Sequence, residues 1–259
     1  MRKPLILVTN DDGITAPGLR ALISYMKDLG EVVVVAPDSP QSGMGHAITI
    51  DSTLSSKEVV IDPDNPDIKE YSCSGTPADC VKLALQVLLQ RKPDICVSGI
   101  NHGSNSSINV IYSGTMSAAI EAGIEGIPAI GFSLCDYSWK ANFKTAERAI
   151  KQIVKEALLK GMPKGVVLNV NIPKKTKAEL KGIKICRQAR ANWKEMFDKR
   201  VNPMGKEYYW LTGEFELLDK GEDTDEWALS NGYISVVPTQ FDLTAHHVIQ
   251  DLNSWNLNE

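Results

Sequence analysis

Apolar residues in the first two thirds of the chain alternate between two textures. Nearly unbroken runs, Leu5-Ile6-Leu7-Val8-Thr9 and Val32-Val33-Val34-Val35-Ala36, read as strands buried on both faces. Between them, residues 17–29 read as a helix, with Pro17 near its first turn and Gly30 just past its end. This β-α-β spacing predicts a parallel, right-handed crossover. A polar loop covers 37–46, and 47–72 read as short strands and turns broken at Pro63 and Pro66. Residues 77–90 then read as helix, 94–98 as buried strand, 114–125 as an Ala-rich helix and 127–134 as strand. A longer amphipathic helix over 142–160 and a strand over 166–172 complete the alternation. The pattern predicts an α/β fold with a mostly parallel, doubly wound sheet flanked by helices.

The texture changes after Pro173. Residues 174–240 mix charges with scattered aromatics (Trp193, Phe197, Tyr208, Tyr209, Trp210, Phe215 and Trp227) and read as hairpins and loops. Hairpins with so little core of their own need a partner surface. The expected organisation is a single domain. Residues 1–173 form the α/β catalytic core, and 174–259 form a hairpin and C-terminal arm for oligomerisation.

Composition narrows the field. With 259 residues and 43% hydrophobic content, the chain has ample material for a full core. A formal net charge of −4 argues against a broad nucleic-acid or acidic-membrane surface, which needs clustered Lys and Arg. The five cysteines include no C-x-x-C pair and are odd in number, which fits reduced thiols in a cytosolic protein; Cys96 and Cys135 read as core. The first apolar run is too short for a signal peptide, and no apolar stretch approaches a membrane span. The expectation is a cytoplasmic protein without nucleic-acid or membrane partners.

The candidate chemistry lies where strands end. The first strand stops at Asp11-Asp12-Gly13, and ligands in open α/β sheets bind beyond the carboxyl ends of the strands. Two adjacent carboxylates repel unless a cation or hydrogen-bond donors compensate, and Gly13 permits a sharp turn that aims both at one point. A plain surface turn is the competing reading, because Asp-Gly is common turn chemistry. Three further polar clusters fall on the same edge: Ala36 to Gly43, Ser98 to Asn105, and Tyr112-Ser113-Gly114-Thr115 at the start of the Ala-rich helix. Two carboxylates with neutral Ser or Asn oxygens make a hard site that suits Mg²⁺, Mn²⁺ or Ca²⁺ and is poor for Zn²⁺. The Ser113-Gly114-Thr115 turn offers an anion backbone N–H groups and two hydroxyls. A metal on one side and a helix amino terminus on the other would bracket a phosphate. No phosphate loop of the G-x-x-x-x-G-K-[ST] type, no G-x-G-x-x-G after the first strand and no G-x-S-x-G elbow is present.

Seven motifs together resemble the SurE family of survival-protein 5′-nucleotidases. They are Thr9 to Gly13, Ala16-Pro17-Gly18, Ala36-Pro37-Asp38 with Gln41-Ser42-Gly43, Gly75 to Cys80, Ser98 to Asn101, Tyr112 to Thr115, and Asp242-Leu243-Thr244 with His246. They occur in the family's order over nearly the whole chain. The resemblance implies a Rossmann-like core, one divalent metal ion per subunit (Mg²⁺ or Mn²⁺) and hydrolysis of nucleoside 5′-monophosphates. It assigns the metal to Asp11, Asp12, Ser42 and Asn101, and the phosphate to Asn105, Ser113, Gly114 and Thr115. Asp11 or Asp12 would orient or deprotonate the attacking water. It also implies a homodimer or homotetramer built by exchange of carboxyl-terminal elements.

His102-Gly103-Ser104-Asn105 stands where many members carry a small residue followed by Gly-Pro-Asn, a departure that bears on substrate preference. Two other readings remain open. One is a broader phosphomonoesterase with 3′-nucleotidase or short-chain exopolyphosphatase activity. The other is a nucleotide-binding regulatory protein without turnover. His46 and His102 sit in site loops, Asp242 and His246 are spaced as a structural pair on one helix turn, and Asp79 suits a helix start.

Overall fold

The computed structural model describes residues 2–138 and 140–257. Its main sheet begins as the sequence predicts. Strand β1 (Leu5–Thr9) leads through α1 (Pro17–Met26) into β2 (Glu31–Pro37), and the two strands pair in parallel. An outer hairpin follows, β3 (Ser56–Val59) and β4 (Lys69–Cys73), and then α2 (Pro77–Leu83). The alternation resumes with β5 (Ile95–His102), α3 (Gly114–Ile124), β6 (Ala129–Cys135), α4 (Glu147–Lys160) and β7 (Val166–Pro173). The last third supplies β8 (Ile183–Ile185), β9 (Ala191–Val201), β10 (Glu207–Leu217), α5 (Asp225–Ser230), β11 (Ile234–Gln240) and α6 (Ile249–Leu252).

Nine strands form one sheet in the order β3-β4-β2-β1-β5-β6-β7-β11-β8. The six from β4 to β7 run parallel, while β3 and β11 each pair antiparallel with their inner neighbour. The unbroken apolar runs have a simple cause. Alternate residues of β1 serve opposite faces: Ile6 and Val8 pack with Leu19 and Leu22 of α1 and Ile150 of α4, while Leu5 and Leu7 pack with Val81 of α2 and Met116 of α3. No helix among the described residues is long and apolar enough to cross a membrane.

The structure departs from the sequence reading in four places. The helix expected over 77–90 keeps α geometry only to Leu83; a π turn over Ala84–Leu88 ends it. Its start is a capping box in which Thr76 and Asp79 exchange hydrogen bonds. The strand expected to stop at 98 runs to His102, with a register shift between Ser98 and Asn101. The helix expected over 142–160 breaks at Ala146, after a short 3-10 turn capped by Asn142. Finally, the last third is only partly an arm. Strands β11 and β8 complete the main sheet, because Ile234 and Val236 are apolar enough to be buried there. The β9–β10 hairpin pairs over eleven residues on each strand and joins no other strand among the described residues.

Candidate active site

The loop after β1 is tied to the loop after β2. Gln41 donates its N–H to the Asp11 carbonyl at 2.7 Å, and Ile14 donates to the Pro37 carbonyl at 2.8 Å. Gly13 takes φ +99°, the left-handed turn that residue type permits, and the Asn10 side chain donates to its carbonyl at 3.0 Å. Both carboxylates are thereby presented at the sheet edge. Asp11 is buried against the amino terminus of α3, where it accepts the Thr115 hydroxyl and the Thr115 backbone N–H. The approach is close. A Cβ at Gly114 would lie 2.7 Å from the Asp11 Cβ. Ser113 caps the same helix, its Oγ accepting the Met116 N–H at 3.0 Å.

Burial pushes the Asp11 carboxyl up to about 6; the Thr115 hydroxyl opposes this, and the neighbouring Asp12 charge adds to it. Asp12 is also raised by burial, although the His102 backbone N–H reaches its Oδ2 at 3.4 Å. Neither carboxylate is paired with a lysine or arginine among the described residues. Two adjacent, desolvated carboxylates whose charge no lysine or arginine among the described residues neutralises are what a hard divalent cation would balance.

The neutral oxygens are held in place as well. Asn101 donates from Nδ2 to the Gly103 carbonyl at 3.2 Å and towards Asn105 Oδ1 at 3.5 Å, which reserves its Oδ1 as an acceptor. Asn105 is committed on every side. Its N–H donates to Asn171 Oδ1 at 2.8 Å, its Nδ2 donates to Ser133 Oγ at 2.6 Å, and its carbonyl accepts from Asn169 Nδ2 at 2.8 Å. The sequence carried a signal for this support: two asparagines, two positions apart, in an otherwise apolar strand. Ser42 lies on the exposed loop after β2. That loop is anchored to α3 by His46, whose Nε2 lies 2.8 Å from Glu121 Oε2, with Lys82 donating to the other carboxylate oxygen at 2.5 Å.

A cleft of about 340 Å³ opens beside β1 and β2, lined by Asp12, Asp38, Ser42, His102, Tyr137 and the start of α1. The His102 ring stands edge-on to Phe143 at 5.1 Å. The structure therefore brings Asp12, Ser42 and His102 to one opening. It places Thr115 on Asp11 and Asn105 beneath Asn101, so two of the four residues assigned to phosphate also hold the residues assigned to metal. Sequence reasoning missed Asp225. This fully buried carboxylate in α5 accepts the backbone N–H groups of both Ser107 and Ala189 at 2.8 Å, while Ser106 donates to the adjacent Glu226. Asp242 and His246 do pair at 2.9 Å, but both are exposed, and Asp242 lies ahead of the 3-10 turn that His246 opens rather than on one helix turn with it.

Comparison with known proteins points one way. The family model described as Survival protein SurE matches residues 6–195. The 5′-nucleotidase SurE of Flavobacterium psychrophilum is 70% identical over 259 residues, covering 100% of both chains. That of Christiangramia forsetii is also 70% identical, covering 100% of this chain and 99% of its own. The crystal structure of the SurE protein from Aquifex aeolicus superposes with a TM-score of 0.83 at 42% identity, covering 96% of this chain and 98% of that one.

Proposed function

The chain belongs to the SurE family and is a 5′-nucleotidase, and we propose that Asp11, Asp12, Ser42 and Asn101 hold the one divalent metal ion at which a nucleoside 5′-monophosphate is hydrolysed to nucleoside and phosphate. The observation that carries this reading is the pair of desolvated carboxylates, without a compensating lysine or arginine, at the end of β1. When bound, such an ion polarises a phosphate oxygen and lowers the pKa of a water. The remaining roles belong to the chain. Thr115 keeps Asp11 in one rotamer, and Asn105 keeps the Asn101 amide oriented. Asp12 borders the open cleft and is the carboxylate placed to orient the attacking water and take its proton. Ser113 and Gly114, at the α3 amino terminus, supply the donors of the phosphate side, where charge grows on the phosphate oxygens, while Thr115 and Asn105 border it by holding Asp11 and Asn101 in place.

Phosphate release from AMP, measured with and without Mn²⁺, tests the reading. Turnover should require the ion and should vanish in Asp12→Asn. Nucleotide binding without phosphate release would favour a regulatory binder, and equal turnover of 3′- and 5′-monophosphates would favour the broader phosphomonoesterase.

We also propose that the protein works as a homodimer or a homotetramer. Alternation along the β9–β10 ladder gathers Trp193, Phe197, Tyr209, Leu211 and Phe215 on one face of a hairpin that pairs with no other strand among the described residues. Phe197 and Leu211 are 68% and 60% exposed, more apolar surface than an isolated ribbon keeps in water.

A further inference from the structure

Two cysteines meet where β4 turns into α2. Cys73 ends the strand and Cys80 lies in the first turn of the helix, joined by the tight turn from Ser74 to Asp79. Both are free thiols and fully buried, in one apolar layer with Val33, Val35, Val81 and Ala84. The two thiols hydrogen-bond to each other, and the Gly75 N–H donates to Cys73 Sγ at 3.4 Å. The turn has no slack, since a Cβ at Gly75 would lie 2.7 Å from the Asp79 Cβ. Ser74 within it is exposed, so local opening of this turn admits a molecule as small as a peroxide.

The five cysteines are not equivalent. The Cys80 thiol, and after it the Gly75 N–H, pull the Cys73 thiol down to about 7 against its burial. Burial pushes Cys80 well above its ordinary value, pushes Cys96 and Cys135 up to about 12, and raises Cys186. Cys73 is therefore the sulfur that ionises most readily, and a protonated thiol stands beside it.

The pair is also tied to the loop that carries Ser42. At one end of that loop the Cys73 carbonyl accepts the Asp38 N–H at 2.8 Å. At the other end Asp79, the neighbour of Cys80, accepts the Thr49 N–H at 3.1 Å and the Thr49 hydroxyl at 2.6 Å. Disulfide sulfurs stand about 2 Å apart, closer than two hydrogen-bonded thiols. A bond between them would draw α2 towards β4 and carry Asp79 away from Thr49.

We propose that Cys73 and Cys80 form a dithiol–disulfide couple, oxidised by hydroperoxides and reduced by small dithiols, whose oxidation loosens the Ser42 loop and lowers turnover. In the first step the Cys73 sulfur takes one peroxide oxygen. The O–O bond breaks, the other oxygen leaves as water with the Cys73 proton, and a sulfenic acid remains. The Cys80 sulfur then attacks the Cys73 sulfur. The S–S bond forms, the S–O bond breaks, and the oxygen leaves as a second water with the Cys80 proton. Two thiols thus lose two electrons, which reduce one peroxide to two waters. A dithiol reverses the change by exchange through a mixed disulfide. The couple stands apart from the nucleotidase reading; its effect on turnover rests on that reading.

The test treats the reduced, full-length enzyme with a small excess of hydrogen peroxide. Two of the five thiols should disappear, and peptide mapping should link residue 73 to residue 80. AMP turnover should fall about tenfold, less than the roughly 10²-fold cost of a 1 Å displacement at the reacting atoms, and dithiothreitol should restore it. The Thr49 amide should exchange faster in the oxidised enzyme. At the same dose Cys73→Ala should keep its turnover, and Cys80→Ala should stop at a Cys73 sulfenic acid that dimedone captures. Oxidation of the wild type without a link between 73 and 80, or to a Cys73 sulfinic acid, overturns the couple. A disulfide that leaves turnover unchanged, or an equal loss of turnover in Cys73→Ala, overturns the switch. No AMP turnover by the reduced enzyme overturns the nucleotidase reading instead, and the peptide map and Thr49 exchange then decide this proposal.

Discussion

Replacing Gly114 by Ala probes the joint on which the site depends. An ordinary Gly-to-Ala change in a helix stabilises by up to about 1 kcal/mol, because alanine loses less backbone entropy. Gly114 already has helical geometry, so no backbone strain opposes the change. What opposes it is Asp11. The new methyl would sit 2.7 Å from the Asp11 Cβ and 3.0 Å from its Oδ2, far inside normal contact. The Asp11 carboxylate cannot simply rotate away without giving up the Thr115 hydroxyl. Overpacking of this kind costs about 1–3 kcal/mol, against the gain of up to about 1, and the net is a loss of roughly 1 kcal/mol. In a chain of this size that lowers Tm by about 2–4 °C. The functional effect should be larger. A catalytic group displaced by about 1 Å loses on the order of 10²-fold in rate. Thermal unfolding, Mn²⁺ calorimetry and AMP turnover together give the assay. A raised Tm with turnover within about threefold of wild type would show that Asp11 does not depend on this helix end.

Three further outcomes are expected. Burial raises the Glu121 carboxyl, but hydrogen bonds from His46 and Lys82 outweigh it and hold the net value below its usual 4.5. A carboxylate lowered in the folded state stabilises above its unfolded value and loses that contribution as pH falls through the folded one. Glu121→Gln should therefore be less stable than wild type by about 1–3 kcal/mol at pH 7, and the gap should narrow in urea titrations as pH falls below the usual 4.5 and through the lowered folded-state value; a constant gap would refute the linkage. Gly18→Ala would put a methyl 1.9 Å from the Ile100 carbonyl oxygen, so α1 must lift off β5; a loss of about 3 kcal/mol, or about 6–12 °C in Tm, should follow, and an unchanged Tm would contradict the packing. Sedimentation at micromolar concentration should show at least a dimer, and Phe197→Lys with Leu211→Lys should shift it towards the single chain; a fully active wild-type species near 28 kDa would refute the assembly.

What was legible in the sequence was local. The strands β1, β2, β6 and β7 announced themselves because burial on both faces demands unbroken apolar runs. Asp11 and Asp12 stand out as candidates because ligands in such sheets bind beyond the strand ends, whereas Ser42 and Asn101 enter as metal candidates only through the family resemblance. The contacts that shape the site were not. Thr115 meets Asp11 across 104 positions, His46 meets Glu121 across 75, and no periodicity encodes such pairs. Ser98-Gly99-Ile100-Asn101 reads as turn chemistry, yet β5 continues through it because its irregular register is tolerated beside β6. The strand β11 was hidden in a stretch rich in charge and aromatics, and its proline fits because Pro238 lies in the exposed second half of the strand. Trp227 illustrates the converse. It reads as part of the aromatic arm, but it stacks on Tyr233 at 6.2 Å under the Lys184 ammonium.

The two long-range hydrogen bonds that Asp225 accepts, from Ser107 and Ala189, set a schedule for the ribosome. Ser107 belongs to the segment between Asn101 and the α3 amino terminus, and its N–H is satisfied only by a carboxylate 118 positions later. At roughly 5–20 residues per second, that partner leaves the ribosome about 6–24 s after Ser107 does. Through that interval the nascent chain holds its first strand, its paired carboxylates and most of its sheet, but the segment beside the pocket lacks its anchor. A chain released before Asp225 carries the strand and the carboxylates that mark the candidate site, but not the group that fixes the segment beside them.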